Sequence, residues 1–182
     1  MKNNESEIIQ CMQDPKVQEK GLRMMMDTYQ TRLYWHIRRL VNDHSCTQDI
    51  LQETFIKAFQ NFHQFKQESK LYTWLYRIAT NEALQELNKQ NKMKMMDEGA
   101  DYYLTNRSSE ENNEADRIQE LLANAIQKLP EKQKLVFTMR YYDDLPYEEI
   151  SKILDMSVGT LKTNYHYAKQ KIEEFIKENY EN

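Results

Sequence analysis

The stretch LPYEEISKILDMSVGTLKTNYHYAKQKI, residues 145–172, decides the fold of this chain. Its first half places Ile150, Ile153 and Leu154 at helical spacing, which predicts an amphipathic helix of about two turns. After a short connection, Ser157 is positioned to accept a hydrogen bond from an early amide of the next helix. In that second helix the predicted buried stripe has four members: Leu161, Tyr165, Ala168 and Ile172. The stretch therefore predicts a helix-turn-helix.

The opposite face of the second helix carries hydroxyl, amide, imidazole and ammonium groups. They are Thr160, Lys162, Thr163, Asn164, His166, Tyr167 and Lys169. Such groups suit phosphates and base edges in the major groove of duplex DNA. The alternative is an ordinary helical hairpin with a solvated polar face. The short first helix, the tight turn, the Ser157 cap and the donor-rich face together favour DNA binding.

Composition predicts an all-α protein. The 182 residues include only three glycines and three prolines, too few for the turns that sheets need. No run of about 18 apolar residues is present, so we expect no membrane span and no secretory leader. We therefore expect a cytoplasmic protein. Cys11 and Cys46 are expected to be reduced.

No catalytic constellation is visible in the sequence. We find no phosphate-binding glycine loop, no nucleophile–base pairing and no metal-ligand spacing among the four histidines. We therefore predict that the chain is not an enzyme and uses no metal, cofactor or small-molecule substrate.

Two small helical domains joined by a flexible acidic linker are predicted. Residues 1–91 contain four helical patterns, the last from an N-cap at Ser69 to about Gln90, and residues 114–182 are helical again. Residues 92–113 lack sustained periodicity. From Lys92 to Asp116 there are seven acidic and three basic residues, which accounts for the whole net charge of −4. A long solvated loop inside one domain is the alternative.

The last helix of the N-terminal half carries YTWLYRIATN, residues 72–81. With apolar positions facing the core, we expect one exposed flank to hold Tyr72, Tyr76, Arg77 and Asn81. Aromatic faces, an amide and a cation suit unstacked bases. Aromatic core packing is the alternative, particularly for Trp74.

One side of the preceding helix displays Asp49, Gln52, Glu53 and Ile56. By themselves these residues indicate only a solvated face.

In order and spacing, the motifs 49–59, 72–81, 129–133, 147–151 and 157–162 resemble an RNA polymerase sigma factor of the sigma-70 family, extracytoplasmic function (ECF) type. The resemblance covers roughly residues 16–178. It implies that residues 1–91 are region 2, which docks on core polymerase and recognises the −10 promoter element, and that 114–182 are region 4, which recognises the −35 element.

The resemblance also implies residue roles. The 49–56 face would bind the clamp coiled coil of the largest polymerase subunit, and the polymerase flap would be a second contact. The single-strand contacts would be Lys66, Tyr72, Tyr76, Arg77 and Asn81. The duplex contacts would be Ser157, Thr160, Lys162, Thr163, Asn164, His166 and Tyr167. An anti-sigma factor is a further implied partner.

The sequence departs from the family at Asn164 and Tyr167, where members often carry arginine, so weaker phosphate contacts are expected there. Two other interpretations remain: a repressor or activator that acts without polymerase, and a helical adaptor that binds only protein. Core-polymerase binding and promoter-directed transcription distinguish them.

Overall fold

The computed structural model describes residues 2–96 and 114–180 and contains helices but no strand within those ranges. The eight α-helices there are α1 (Lys2–Gln13), α2 (Gln18–Val41), α3 (His44–Gln60), α4 (Leu71–Met96), α5 (Glu114–Gln127), α6 (Glu131–Tyr141), α7 (Tyr147–Leu154) and α8 (Val158–Tyr180). A 3-10 turn over Phe62–Gln64 precedes α4. The all-α prediction is confirmed.

Helices α1–α4 form the N-terminal unit, in which α2 contacts α1, α3 and α4. Met25, Ile37 and Leu75 are fully buried between them. At Gly21, α1 and α2 approach so closely that an added Cβ would lie 2.8 Å from the backbone nitrogen of Met12. Glycine is therefore required for this crossing.

The start of α4 is stabilised by a residue distant in the sequence. The Leu71 amide donates to the Glu5 carboxylate at 2.9 Å, whereas the Ser69 hydroxyl points to the Lys70 carbonyl at 3.4 Å. The prediction that Ser69 caps α4 is wrong, because the Glu5 carboxylate of α1, and not the Ser69 hydroxyl, accepts from the Leu71 amide. The helix also continues to Met96, beyond the predicted end near Gln90.

Of the predicted linker, residues 97–113 lie outside the described residues. Its first part, residues 92–96, is helical and belongs to α4.

Helices α5–α8 form the C-terminal unit, and the predicted helix-turn-helix is confirmed as α7 and α8. Asp155 adopts a left-handed conformation with φ of 53° and ends α7. Ser157 accepts from the Thr160 amide at 3.1 Å, the predicted N-cap. The predicted stripe is largely buried: Leu161 and Ala168 are 0% exposed and Ile172 is 5% exposed.

The two units pack against each other, with α7 on α4 and α6 on α2. Leu145 and Ile150 of the C-terminal unit belong to the same apolar cluster as Leu33 and Leu40 of α2. One core therefore extends through both units. Among the helices of residues 2–96 and 114–180, none combines the length and apolarity needed to cross a bilayer.

Candidate nucleic-acid and polymerase interfaces

The outward face of α8 is free for a ligand in this arrangement. Six side chains define this recognition face, all exposed: Thr160, Lys162, Thr163, His166, Tyr167 and Lys169. Asn164 is half-buried, and its amide donates to the Thr160 carbonyl at 2.9 Å. Ser157 is exposed but its hydroxyl is occupied as the helix cap. The face is polar and carries two ammonium groups, Lys162 and Lys169, as the sequence predicts.

The loop before α4 and one flank of that helix form the α4 groove, with a volume of about 380 Å³. It brings together three of the predicted single-strand contacts, Lys66, Arg77 and Asn81, all exposed. Trp74 lines the same groove. The Lys66 ammonium, the Arg77 guanidinium and the Asn81 amide thus surround an opening large enough to admit a planar ring.

Aromatic rings pack together beneath the floor of the α4 groove. Trp74 lies edge-on to Phe62 at 5.9 Å between ring centroids and against Phe65 at 5.3 Å. Phe62 and Phe65 are 4% and 7% exposed, so these two residues anchor the loop in the core. Trp74 is half-buried, because its ring packs on Phe62 and Phe65 and also lines the groove.

The other two predicted single-strand contacts lie on a different flank of α4. Tyr76 is 1% exposed, and its ring centroid lies 4.6 Å from that of His36. Burial, reinforced by the negative charge of Asp143, raises the pKa of the Tyr76 phenol well above its usual value. The expectation that Tyr76 is exposed is therefore wrong, because the C-terminal unit covers this flank. Tyr72 is half-buried beside it.

The predicted polymerase-binding residues form a ridge on α3, here called the α3 ridge (Asp49, Gln52, Glu53 and Ile56). Gln52 and Ile56 line an apolar groove of about 510 Å³ between α2 and α3. Asp49 and Glu53 line an acidic groove of about 710 Å³ between α3 and α4. The ridge therefore separates an apolar surface from an acidic one. Ile56 is 41% exposed.

The acidic groove is partly neutralised by Lys57. Its ammonium lies 2.7 Å from the Glu82 carboxylate and 3.7 Å from that of Glu53. The hydrogen bond with Glu82 raises the pKa of Lys57 above its ordinary value. Asp43, Asp49 and other carboxylates nevertheless leave this groove suited to a basic partner.

Comparison with known proteins gives the family. The family model for sigma-70 region 2 matches residues 25–93, and the model for sigma-70 region 4 matches residues 119–172. The chain is 32% identical over 168 residues to an ECF RNA polymerase sigma-E factor from Haemophilus influenzae, covering 87% of this chain and 88% of that protein. This chain belongs to the ECF class of the sigma-70 family.

Further relatives agree with this placement. The ECF sigma factor SigW of Bacillus subtilis is 31% identical over 164 residues, which cover 85% of this chain and 88% of SigW. The fold resembles the sigma factor RpoE of Bartonella quintana, solved with the anti-sigma factor NepR (TM-score 0.72, 19% identity, 88% of this chain and 99% of that one). It also resembles CnrH, solved with the cytosolic domain of CnrY (TM-score 0.70, 15% identity, 97% of each chain).

As a sigma factor, the protein directs promoter-specific initiation by RNA polymerase. Region 2 spans most of α2 through α4 and region 4 spans the helices from α5 into α8, so the predicted contact surfaces fall within the matched regions. The residues that join the units, above all His36, Asp143 and Glu149, were not identified from the sequence as sites. A histidine within an otherwise apolar stripe of α2 was the one available signal.

Proposed function

We propose that this sigma factor reads the two promoter elements with two different surfaces. The recognition face of α8 contacts the −35 duplex, and the α4 groove receives an unpaired base of the −10 element. The observation that carries this proposal is the convergence of Lys66, Arg77 and Asn81 on one groove beside Trp74. Cations can hold the phosphates on either side of the base, while the Asn81 amide bonds its edge.

At the −35 element, different side chains of α8 make different kinds of contact. The exposed cations Lys162 and Lys169 bind phosphates, and Thr160 and Thr163 are placed for base edges or backbone oxygens. Tyr167 is 51% exposed and provides a contact surface without a charge. Duplex binding by this unit is therefore weak in isolation. It gains strength when both surfaces and core polymerase are engaged together.

Core polymerase binds the α3 ridge in this proposal. The exposed Ile56 enters an apolar recess of the polymerase, and Asp49 and Glu53 face basic groups. The family resemblance assigns the ridge to the clamp coiled coil of the largest subunit and implies the flap as a second contact. The protein then acts in the cytoplasm, where the polymerase is, and supplies positioning rather than a reaction of its own.

An anti-sigma factor is included among the proposed partners. RpoE of Bartonella quintana was solved with the anti-sigma factor NepR, and CnrH with the cytosolic domain of CnrY.

The decisive experiment is run-off transcription on a promoter library with purified core polymerase, with and without this protein. We expect initiation at a defined set of templates that share two spaced elements. Initiation equal to that of core enzyme alone would eliminate the proposal, and would favour an adaptor. Binding to duplex DNA without core binding would favour a conventional repressor or activator.

A further inference from the structure

Helix α1 lies outside the part of the chain that the family models match. The region 2 match begins at residue 25, whereas α1 ends at Gln13. The recognition face, the α4 groove and the α3 ridge include no residue of α1. The helix is nevertheless packed into the N-terminal unit, since Ile8 and Met12 are 0% and 2% exposed. Its contacts with the loop before α4 indicate a role for it.

The carboxylate of Glu5 caps the start of α4. One of its oxygens accepts from the Leu71 amide at 2.9 Å, and the other lies 3.5 Å from the Tyr29 hydroxyl of α2. Burial, reinforced by the negative charge of Glu5, raises the pKa of the Tyr29 phenol, so this hydroxyl stays a donor. A carboxylate is favourable here, because the first amides of a helix are unpaired and carry partial positive charge. Glu5 thus fixes the end of the loop that precedes α4.

The same helix contacts the beginning of that loop. Met12 and Gln13 line a cleft of about 320 Å³ together with Phe62 and Phe65, which lie in and directly after the 3-10 turn. Seven residues separate Glu5 from Met12, which corresponds to about 10 Å along a helix. Helix α1 therefore supports the loop at two points, one near each end.

Between these two points the loop has a strained backbone. Gln67 has φ of 59°, a left-handed conformation that residues other than glycine seldom adopt. Such a conformation persists only where the surrounding contacts impose it. The adjacent residues Lys66 and Glu68 line the α4 groove together with Trp74. The shape of the groove therefore depends on how the two ends of the loop are held.

We infer that α1 is a positioning element for promoter recognition: through the Glu5 carboxylate on the Leu71 amide, it holds the loop over residues 61–70 in the conformation that forms the α4 groove. Glu5 does not line the groove, so it acts through the loop. Without this carboxylate, a smaller fraction of the protein has the groove formed, and the apparent affinity for DNA falls by that fraction. The inference rests on the proposed function, because the groove has to receive an unpaired base for its shape to matter.

The first test measures the state of the groove in the full chain, without DNA. The chain has two tryptophans, so Trp35→Phe leaves Trp74 of the groove as the only one. In this background we expect Glu5→Ala to shift the Trp74 emission to longer wavelength and to increase its quenching by acrylamide. Glu5→Gln should stay close to the parent protein, because its side-chain oxygen can still accept from the Leu71 amide.

Glu7→Ala is the matched control for the loss of an α1 carboxylate. Glu7 is 53% exposed and pairs with Lys20 at 3.5 Å, away from the start of α4. Its Trp74 emission should equal that of the parent. An emission of Glu5→Ala that also equals the parent's would overturn the inference, because the loop would then keep its conformation without the Glu5 contact.

The second test measures DNA recognition by holoenzyme. The probe is a single-stranded oligonucleotide with the −10 element of a template selected by run-off transcription, varied one base at a time. We expect Glu5→Ala to lower its affinity about 3- to 10-fold and to reduce the preference among bases, and Glu5→Gln to restore both. Binding to −35 duplexes and to core polymerase should be unchanged in Glu5→Ala and Glu7→Ala, since α1 contributes to neither surface.

Asn81→Ala in the same assay distinguishes this inference from the proposed function. If Asn81→Ala lowers the affinity and Glu5→Ala does not, the groove binds DNA without help from α1, and the inference alone is overturned. If neither variant lowers it, the proposed function fails and the inference fails with it. A loss in Glu5→Ala that Glu5→Gln does not reverse would also overturn the inference, because the hydrogen bond to Leu71 would not be its cause.

Discussion

Nδ1 of His36 and Oδ2 of Asp143 lie 2.7 Å apart with both side chains excluded from solvent, although 107 residues separate them in the chain. This contact joins region 2 to region 4. It also explains why Tyr76, whose ring packs at a tilt against His36, is buried rather than exposed.

Asn81→Ala should reduce open-complex formation about tenfold, because the amide at the rim of the α4 groove no longer bonds the edge of an unpaired base. Permanganate footprinting with holoenzyme measures the opened DNA. Asn88→Ala is the matched control, since it removes an exposed amide from the same helix outside the groove. Equal opening by the two variants would remove Asn81 from the site.

Lys162→Ala should weaken binding to −35 duplexes similarly for all sequences and lower the salt dependence by about one phosphate contact. Tyr167→Arg should do the reverse, because it adds a cation to a 51% exposed position of the recognition face. Fluorescence anisotropy with holoenzyme across a salt series measures both effects. Lys177→Ala, which changes an exposed lysine at the far end of α8, should match wild type. A salt slope unchanged by Lys162→Ala would contradict the assignment.

Ile56→Glu should weaken binding to core polymerase about tenfold or more, since an apolar anchor of the α3 ridge is replaced by a charge. Ile118→Glu is the control, because Ile118 on α5 is equally exposed, at 42% against 41%, but lies off the ridge. Competition against a labelled sigma factor for core enzyme measures the affinities. Similar losses in both variants would mean that the effect is general rather than local.

Gly21→Ala should destabilise the protein by about 1–3 kcal/mol, because the new methyl group would overlap the backbone of α1. Gly159→Ala is the opposite case. The nearest atom to its added Cβ is the Ser157 hydroxyl oxygen at 3.9 Å, so alanine fits and should stabilise by about 0.4–1 kcal/mol. Denaturant unfolding distinguishes the two. Equal stabilities would show that α1 does not approach α2 at Gly21.

Because of Lys134, the free energy of unfolding should rise between pH 7 and pH 9. Burial lowers the pKa of its ammonium to about 8 from 10.5, although it donates to the Leu40 carbonyl at 2.9 Å. Between these values the unfolded chain binds more protons than the folded one, so the free energy of unfolding increases with pH, by on the order of 1 kcal/mol.

Lys134→Met should remove this increase while Lys132→Met, an exposed neighbour, keeps it. Comparing variants with wild type cancels the opposing contributions of Cys46 and Tyr76, whose pKa values burial raises. Parallel pH profiles for wild type and Lys134→Met would refute the assignment.

The sequence by itself determined the helix-turn-helix, the Ser157 cap, the buried stripe of α8 and the polar face opposite it. These features depend on hydrogen bonds and side-chain spacing within three or four residues, so the local pattern is sufficient. The same applies to the ridge on α3. The order of such motifs also indicated the family.

Only the tertiary structure decided which flank of α4 faces solvent. Tyr76 and Asn81 both occupy positions off the helix's own core stripe, and periodicity treats them alike. Their difference arises because Asp143 and Glu149, more than sixty residues away, dock on one flank and leave the other open. For the same reason, the start of α4 is capped by the Glu5 carboxylate and not by Ser69, which the sequence predicted. Free backbone amides and buried charges pair with groups that the fold brings within hydrogen-bonding distance. The pattern of residues along the sequence does not show which distant groups become neighbours.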